Sequence, residues 1–442
     1  MTATSTAVEE KLHRRVINAW CMYDWANSAF ATTIMAALLP PYFSGVAASN
    51  LPKAQATSIW GLSLAFSAAL IALLGPVLGA IADHTGTKKR FLQSFLSVAI
   101  VFTALLFLVR EGDWLMAVIF YVLASIGNAG ANVFYDSLLP HVARQDEIDQ
   151  VSTRGFAMGY LGGGILLLIN LVWYMKPEWF GWMGITDGNS AVRASFLSVA
   201  IWWIIFSIPL FRYVSEPKAT GTSRMINPIR AGFARLAETF QHIKRYKELA
   251  KFLIAFWLYA DGIGTIIKMA TIYGAEIGIG TADLAGALLL TQIIGVPFSF
   301  LFGWLAKRMG TKKSIYLALV VYTVISIAGY FMSQAWHFWV LAGCVGLVQG
   351  GSQALSRSLF GSMTPKARSA EFFGFYDISS KFAGILGPLL FSATAAIFKT
   401  SRLGIVSLVV FFISGAYLLS KVDEQSGIAV ARTEDALAET VS

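Results

Sequence analysis

Twelve long apolar stretches follow one another between about Val16 and Lys421, each parted from the next by a polar break. Each is close to the roughly 20 residues a helix needs to cross the hydrocarbon core of a bilayer. The pattern predicts spanning helices over 17–44, 57–82, 91–110, 114–138, 153–174, 192–212, 250–273, 282–306, 314–333, 337–361, 371–398 and 402–421, numbered spans 1 to 12. The N-terminus is polar through Arg15, and the apolar helix after it has no small-residue cleavage site, so span 1 reads as retained. The longest break, 213–249, sets Phe233, Leu236, Phe240 and Ile243 against Arg230, Arg235, Lys244 and Lys247. It suits a helix lying on the inner membrane surface, or a plain solvated linker. The expected organisation is a tail (1–16), a six-helix bundle (17–212), this linker, a second bundle (250–421) and a tail (422–442).

Polar positions inside the spans are few and regularly spaced. In span 1, Asp24, Asn27, Ser28 and Ala31 follow i, i+3, i+4, i+7 and share one helical face. In span 4, Asn128, Asn132 and Asp136 follow i, i+4, i+8, and in span 10 Gln349, Gln353 and Arg357 repeat that spacing at an offset of 221 residues. In span 7, Asp261 and Lys268 lie two turns apart, beyond Tyr259, and span 8 carries Gln292. A charge at mid-membrane costs about 2.5–3.5 kcal/mol. Seven candidates lie in the spans or at their ends: Asp24, Asp136, Asp261, Lys268, Arg357, Asp377 and Lys381. Facing lipid at mid-depth they would together cost roughly 20 kcal/mol, above a typical net stability of roughly 5–15 kcal/mol. Most must therefore face the interior, pair, or sit near a membrane surface.

Several readings stay open for each. Asp24 and Asp261 suit a cavity and a transferable proton, or an interfacial cap and a buried pair. Asp136 and Arg357, opposite in charge at equivalent places, suit an inter-helix gate pair. Asp377 and Lys381 are i, i+4 and neutralise each other or serve a gate. The Asn and Gln residues contact a solute or act as glue between helices. Gly155, Gly159 and Gly163, four apart in span 5, allow close helix contact. Trp173, Trp179, Trp182, Trp336 and Trp339 suit an interfacial belt.

Charge then orients the chain. Of the Lys and Arg residues, 25 fall on one side of the membrane and six on the other, which predicts both termini on the cytoplasmic face. Only 13% of residues are charged, against about 25% in soluble domains. The net charge of +9 reflects this retained positive side; the basic residues form no groove with interleaved aromatics, so no nucleic-acid partner is expected.

An internal repeat organises the twelve spans. The loop after span 2 reads Gly79-Ala-Ile-Ala-Asp83-His84-Thr85-Gly86-Thr87-Lys88-Lys89, and the loop after span 8 reads Gly303-Trp-Leu-Ala-Lys307-Arg308-Met309-Gly310-Thr311-Lys312-Lys313. Six positions are identical at an offset of 224 residues, among them both glycines, the threonine and both lysines. The glycines permit a tight turn, the basic pair anchors it, and Asp83 suits a helix N-terminus. Asp83, Gly86 and Lys88 are thus gate or structural candidates.

This loop resembles the signature loop of the major facilitator superfamily, departing from it at His84, Thr87 and Lys307. The segments Tyr23-Asp24-Trp25-Ala26-Asn27-Ser28 in span 1, Tyr259-Ala260-Asp261-Gly262 in span 7, Gly350-Gly351-Ser352-Gln353 in span 10 and Glu371-Phe372-Phe373-Gly374 in span 11 narrow the likeness. Together they resemble the vacuolar amino-acid effluxers linked to autophagy in yeast, and their bacterial relatives. The resemblance implies an all-α major facilitator fold, two pseudo-symmetric six-helix bundles, and a cavity lined by spans 1, 4, 7 and 10. It also implies alternating-access transport, with an amino acid as cargo.

No enzyme constellation competes. The five histidines form no metal cluster with Cys21 and Cys344, and there is no Walker loop or nucleophile elbow. No cofactor or metal is expected. The partners expected are a small-molecule substrate, membrane lipids and a coupling proton, on a monomer in a bacterial cytoplasmic membrane. A drug or sugar transporter of the same superfamily, or a membrane sensor or assembly protein, is the alternative.

Overall fold

The computed structural model describes residues 3–217, 245–276, 279, 281–382, 386–398 and 401–441. All regular structure among them is helical. Ten helices among the described residues are long and apolar enough to cross a membrane. They take up spans 1, 3 to 10 and 12. Spans 2 and 11 fall on the helix Lys53–Thr85 and on the pair Ser369–Phe382 and Leu386–Phe398. The surface helix suggested for 213–249 falls for the most part outside the described residues.

The helices form because buried or lipid-facing backbone must satisfy its own hydrogen bonds. Their outward faces are apolar: Ile201, Ile204, Ile205 and Ile208 of span 6 are exposed at helical spacing, as are Leu161, Ile165, Leu168 and Ile169 of span 5. Polar residues set the ends. Asp187 accepts from the Ser190 N–H at 2.7 Å and opens the helix Gly188–Tyr213 with a capping box. The adjacent Ser190 amide holds the Asp187 carboxyl below its ordinary range.

The chain forms two compact units. One comprises residues 1–74, 87–135 and 158–217. In it, span 1 leaves α geometry and runs as a π-helix over Phe30–Leu38, a rare form that is frequent at functional sites. Span 5 packs on it through the glycines read from the sequence. A Cβ at Gly159 would stand 2.5 Å from Ser28 Oγ, and one at Gly163 3.0 Å from the Ser28 carbonyl oxygen. Thr32 donates its hydroxyl to the Gly163 carbonyl at 3.2 Å.

The second unit comprises residues 75–86, 136–157 and the described residues beyond 244. Its core is strongly aromatic. Phe252, Phe256 and Tyr259 of span 7 meet Phe360 of span 10 and Phe372, Phe373 and Tyr376 of span 11. The last helix, Glu424–Val441, is held by Glu434, which accepts from Tyr246 Oη at 2.7 Å and pairs with Arg245 Nε at 2.9 Å.

Candidate functional site

Within the second unit, short pieces of spans 2, 4 and 5 are clasped by spans 8, 10 and 11. The repeat loop makes the first contact. Asp83 is 1% exposed, and its carboxylate accepts from the backbone N–H groups of Ala370 (3.2 Å) and Glu371 (2.8 Å) at the start of span 11. An anion at a helix N-terminus is favoured by the unsatisfied N–H groups and the helix dipole. The approach needs small residues. A Cβ on Gly79 would collide with the Ala370 carbonyl, and one on Gly374 would lie 2.7 Å from Pro76 N. Gly86 turns the loop at φ +62°, and its repeat partner Gly310 does so at φ +94°.

The second contact joins spans 4, 5 and 10. Arg357 Nη1 donates to Asp136 Oδ1 at 3.0 Å, so the two equivalent positions of opposite charge do form a pair. Arg357 Nε donates to Ser152 Oγ at 2.9 Å, and Nη2 to the Ser152 carbonyl at 3.0 Å. The guanidinium carbon lies 4.4 Å from the Phe156 ring centroid. This geometry uses the planar fork of arginine, which lysine would not reproduce.

A third contact was invisible in the spacing. Asp149, in the first turn of the helix Ile148–Met175 that carries span 5, accepts from Thr311 Oγ1 at 2.6 Å and from Ser358 Oγ. In the second copy of the repeat, Lys307 stands where Asp83 would be. The acid is supplied instead by span 5 itself. Both helix starts thus carry a carboxylate, span 11 from the facing loop and span 5 from its own first turn. The departure at Lys307 was the only trace of this in the sequence. Glu371, fully buried, is a further residue of the clasp that the spacing did not single out.

The basic pairs of the repeat also find partners. Lys89 Nζ donates to the Phe211 carbonyl at 3.1 Å and to that of Val214, and Lys312 Nζ to those of Ser420 (3.2 Å) and Val422 (2.6 Å). Each lysine satisfies the orphan carbonyls ending span 6 or span 12. Burial holds the Tyr246 hydroxyl, at the foot of span 7, well above its ordinary range. Lys88 is 3% exposed.

The polar stripes sit as follows. Asp24 is buried, and Asn27 Nδ2 donates to Asn132 Oδ1 at 2.8 Å, joining the stripes of spans 1 and 4. The Oδ1 atoms of Asn27 and Asn128 are buried without a hydrogen bond among the described residues. In span 7, Tyr259 is 1% exposed and its hydroxyl lies 2.6 Å from Ser356 Oγ. Asp261, fully buried, accepts from Leu386 N and Gly387 N, both at 3.0 Å, so it ties span 7 to the start of the second helix of span 11. Gln292, Gln349, Gln353 and Asp377 are half-buried. The side chains of Lys268 and Lys381 lie outside the described residues. Trp179, Trp182 and Trp336 are exposed, as a belt requires, whereas Trp339 donates to Asp283 Oδ1 at 3.0 Å. No group of three or more His, Cys, Asp or Glu suited to a metal occurs among the described residues.

All-helical architecture, apolar spans and a clasp built on a repeated Gly-Thr-Lys-Lys loop are those of a major facilitator transporter. The fold is similar to that of FucP, a major facilitator superfamily transporter of E. coli solved in the outward conformation, with a TM-score of 0.70 at 12% identity over 93% of this chain and 98% of that one. The sequence matches the family described as "Vacuole effluxer Atg22 like" over residues 12–432. It is 38% identical to the uncharacterized MFS-type transporter YxiO of Bacillus subtilis (strain 168), over 95% of this chain and 97% of that protein. It is 27% identical to autophagy-related protein 22 of Yarrowia lipolytica, over 63% of this chain and 51% of that protein. The chain belongs to the Atg22-like vacuole effluxer family. It is a multi-pass membrane transporter and not an enzyme.

Proposed function

We propose that this chain is a secondary active transporter that moves a small polar solute, an amino acid first among candidates, by alternating access coupled to protons. The observation that carries this reading is the clasp around Asp83, Asp136, Asp149 and Arg357. It ties pieces of spans 2, 4 and 5 to the second bundle through hydrogen bonds and one ion pair, contacts that separate without unfolding any helix. The residues expected on the cytoplasmic side form it, so its opening and closing would gate that side. The solute would meet Asp24, Asn27, Asn128 and Asn132 from the first bundle and Gln292, Gln349, Gln353 and Lys268 from the second. Mixed amides and charges suit a zwitterion.

The proton would act at Asp261. Its carboxylate accepts two backbone N–H bonds from the second helix of span 11. Neutralising it weakens both, because hydrogen bonds to a charged acceptor are roughly twice as strong as neutral ones. Proton arrival would thus loosen span 7 from span 11. Each charge crossing the membrane supplies about 2.3 kcal/mol per 100 mV. Asp24 is the second candidate for this role. In reconstituted vesicles, Asp261→Asn is expected to leave a folded protein that exchanges solute but no longer concentrates it under a pH gradient. Gradient-driven accumulation equal to that of the parent chain would remove Asp261 from the proton path.

A further inference from the structure

Spans 7, 8, 9, 10 and 12 line a partly open cavity of about 70 Å³ at the helix ends away from the clasp. One water needs roughly 10–15 Å³, so the space is about five times larger than that. Its walls are apolar, with Ile266, Leu288, Leu341 and Ile405 each contributed by a different span. Span 9 contributes Ser326, which is 1% exposed and whose Oγ has no hydrogen-bond partner among the described residues. The other hydroxyl on the wall, Thr291, already faces the carbonyls of Ala287 (3.0 Å) and Ala342 (3.1 Å). The Gln349 amide stands at one edge.

Water is a poor occupant of such a space. A buried water makes two to four hydrogen bonds, and this wall holds one unengaged hydroxyl in an apolar surround. A buried hydroxyl left unpaired is destabilising. Water in the space gives the apolar lining no favourable contact, and burying that lining against hydrocarbon is favourable. Both deficits are relieved by the same kind of molecule. It is uncharged, mostly hydrocarbon, about one ring in size, and carries one hydrogen-bonding atom.

We propose that this cavity is a binding site for a small neutral cyclic or branched alcohol or ether, seated among the apolar side chains with its oxygen on Ser326. The site is separate from the solute residues except at Gln349, and its occupancy is read without any flux. Because spans 7 and 10 belong both to this wall and to the polar stripes, an occupant stiffens helices that carry the pathway.

The test is the thermal unfolding midpoint of the purified full-length chain, in one detergent, against increasing cyclohexanol. A saturable rise is expected. Ser326→Leu, which fills the cavity and removes the hydroxyl, is expected to abolish it. Ala342→Leu, which fills the same space from span 10, gives the same expectation should the first variant fold poorly. Cyclohexylammonium at equal concentration is expected to give no rise, since its charge finds no counter-ion there. An equal rise in either folded variant, or with the ammonium compound, would show partition into the detergent and overturn the site. Failure of transport in vesicles would not bear on this result.

Discussion

Removing the negative charge at Asp136 tests the clasp at its strongest point. In Asp136→Asn, the Arg357 guanidinium, whose side chain is 4% exposed, loses its counter-ion but keeps both bonds to Ser152. Breaking a fully buried ion pair by removing one partner costs about 3–5 kcal/mol. The Asp136 side chain keeps 21% of its surface exposed, so water screens part of the pair. Together with the retained Ser152 bonds, this brings the figure down to about 1–3 kcal/mol, a shift of roughly 5- to 150-fold away from the clasped state. Spin labels at the exposed positions Asp146 and Lys366 report the change, after Cys21 and Cys344 are replaced. The parent chain is expected to show a dominant short distance and Asp136→Asn a populated longer one, at unchanged helix content. Identical distance distributions in the two proteins would show that the pair contributes nothing to closure.

Three further outcomes follow from the same contacts. Gly374→Ala places a methyl group 2.7 Å from the Pro76 nitrogen, and overpacking of this kind costs typically 1–3 kcal/mol; the same label pair should report loss of the short distance. Gly310→Ala forces a side chain to φ +94° with ψ 150°, a region essentially restricted to glycine, at about 1–3 kcal/mol, and is expected to lower the thermal midpoint without changing label distances. Tyr246→Phe removes the hydroxyl that Glu434 accepts and should make the helix Glu424–Val441 more sensitive to protease. The Tyr246 hydroxyl is held above its ordinary range, so its protonated form is the one the fold favours. Its contribution is therefore complete below the free phenol value of about 10, and protease resistance should fall only as pH rises beyond that.

The spans were legible because twenty apolar residues in a row admit few other readings. Pairing across the clasp was legible only where the repeat set two residues in register. Asp136 and Arg357 share an offset of 221 with the amides beside them, and they meet. Asp149 escaped notice because an acid in the first turn of a helix reads as an ordinary solvated cap. Nothing local says that Thr311 and Ser358, far along the chain, will face it. Asp261 and Tyr259 show the converse limit. Periodicity sets Asp261 on a helical face, but a face says nothing of what covers it. Both side chains are packed against other spans, Asp261 on backbone N–H groups and Tyr259 on Ser356. Gly86 and Gly310 were readable as turns because a positive φ favours glycine, and both adopt one.

Proton-coupled movement of a small polar solute is read from flux into vesicles reconstituted with the purified chain. Radiolabelled amino acids would be supplied singly, with and without an imposed pH gradient. Saturable movement of at least one amino acid is expected, driven above equilibrium by the gradient and uncoupled by Asp261→Asn. Saturable movement of a sugar or an apolar cation alone, or of no solute under any gradient, would contradict it.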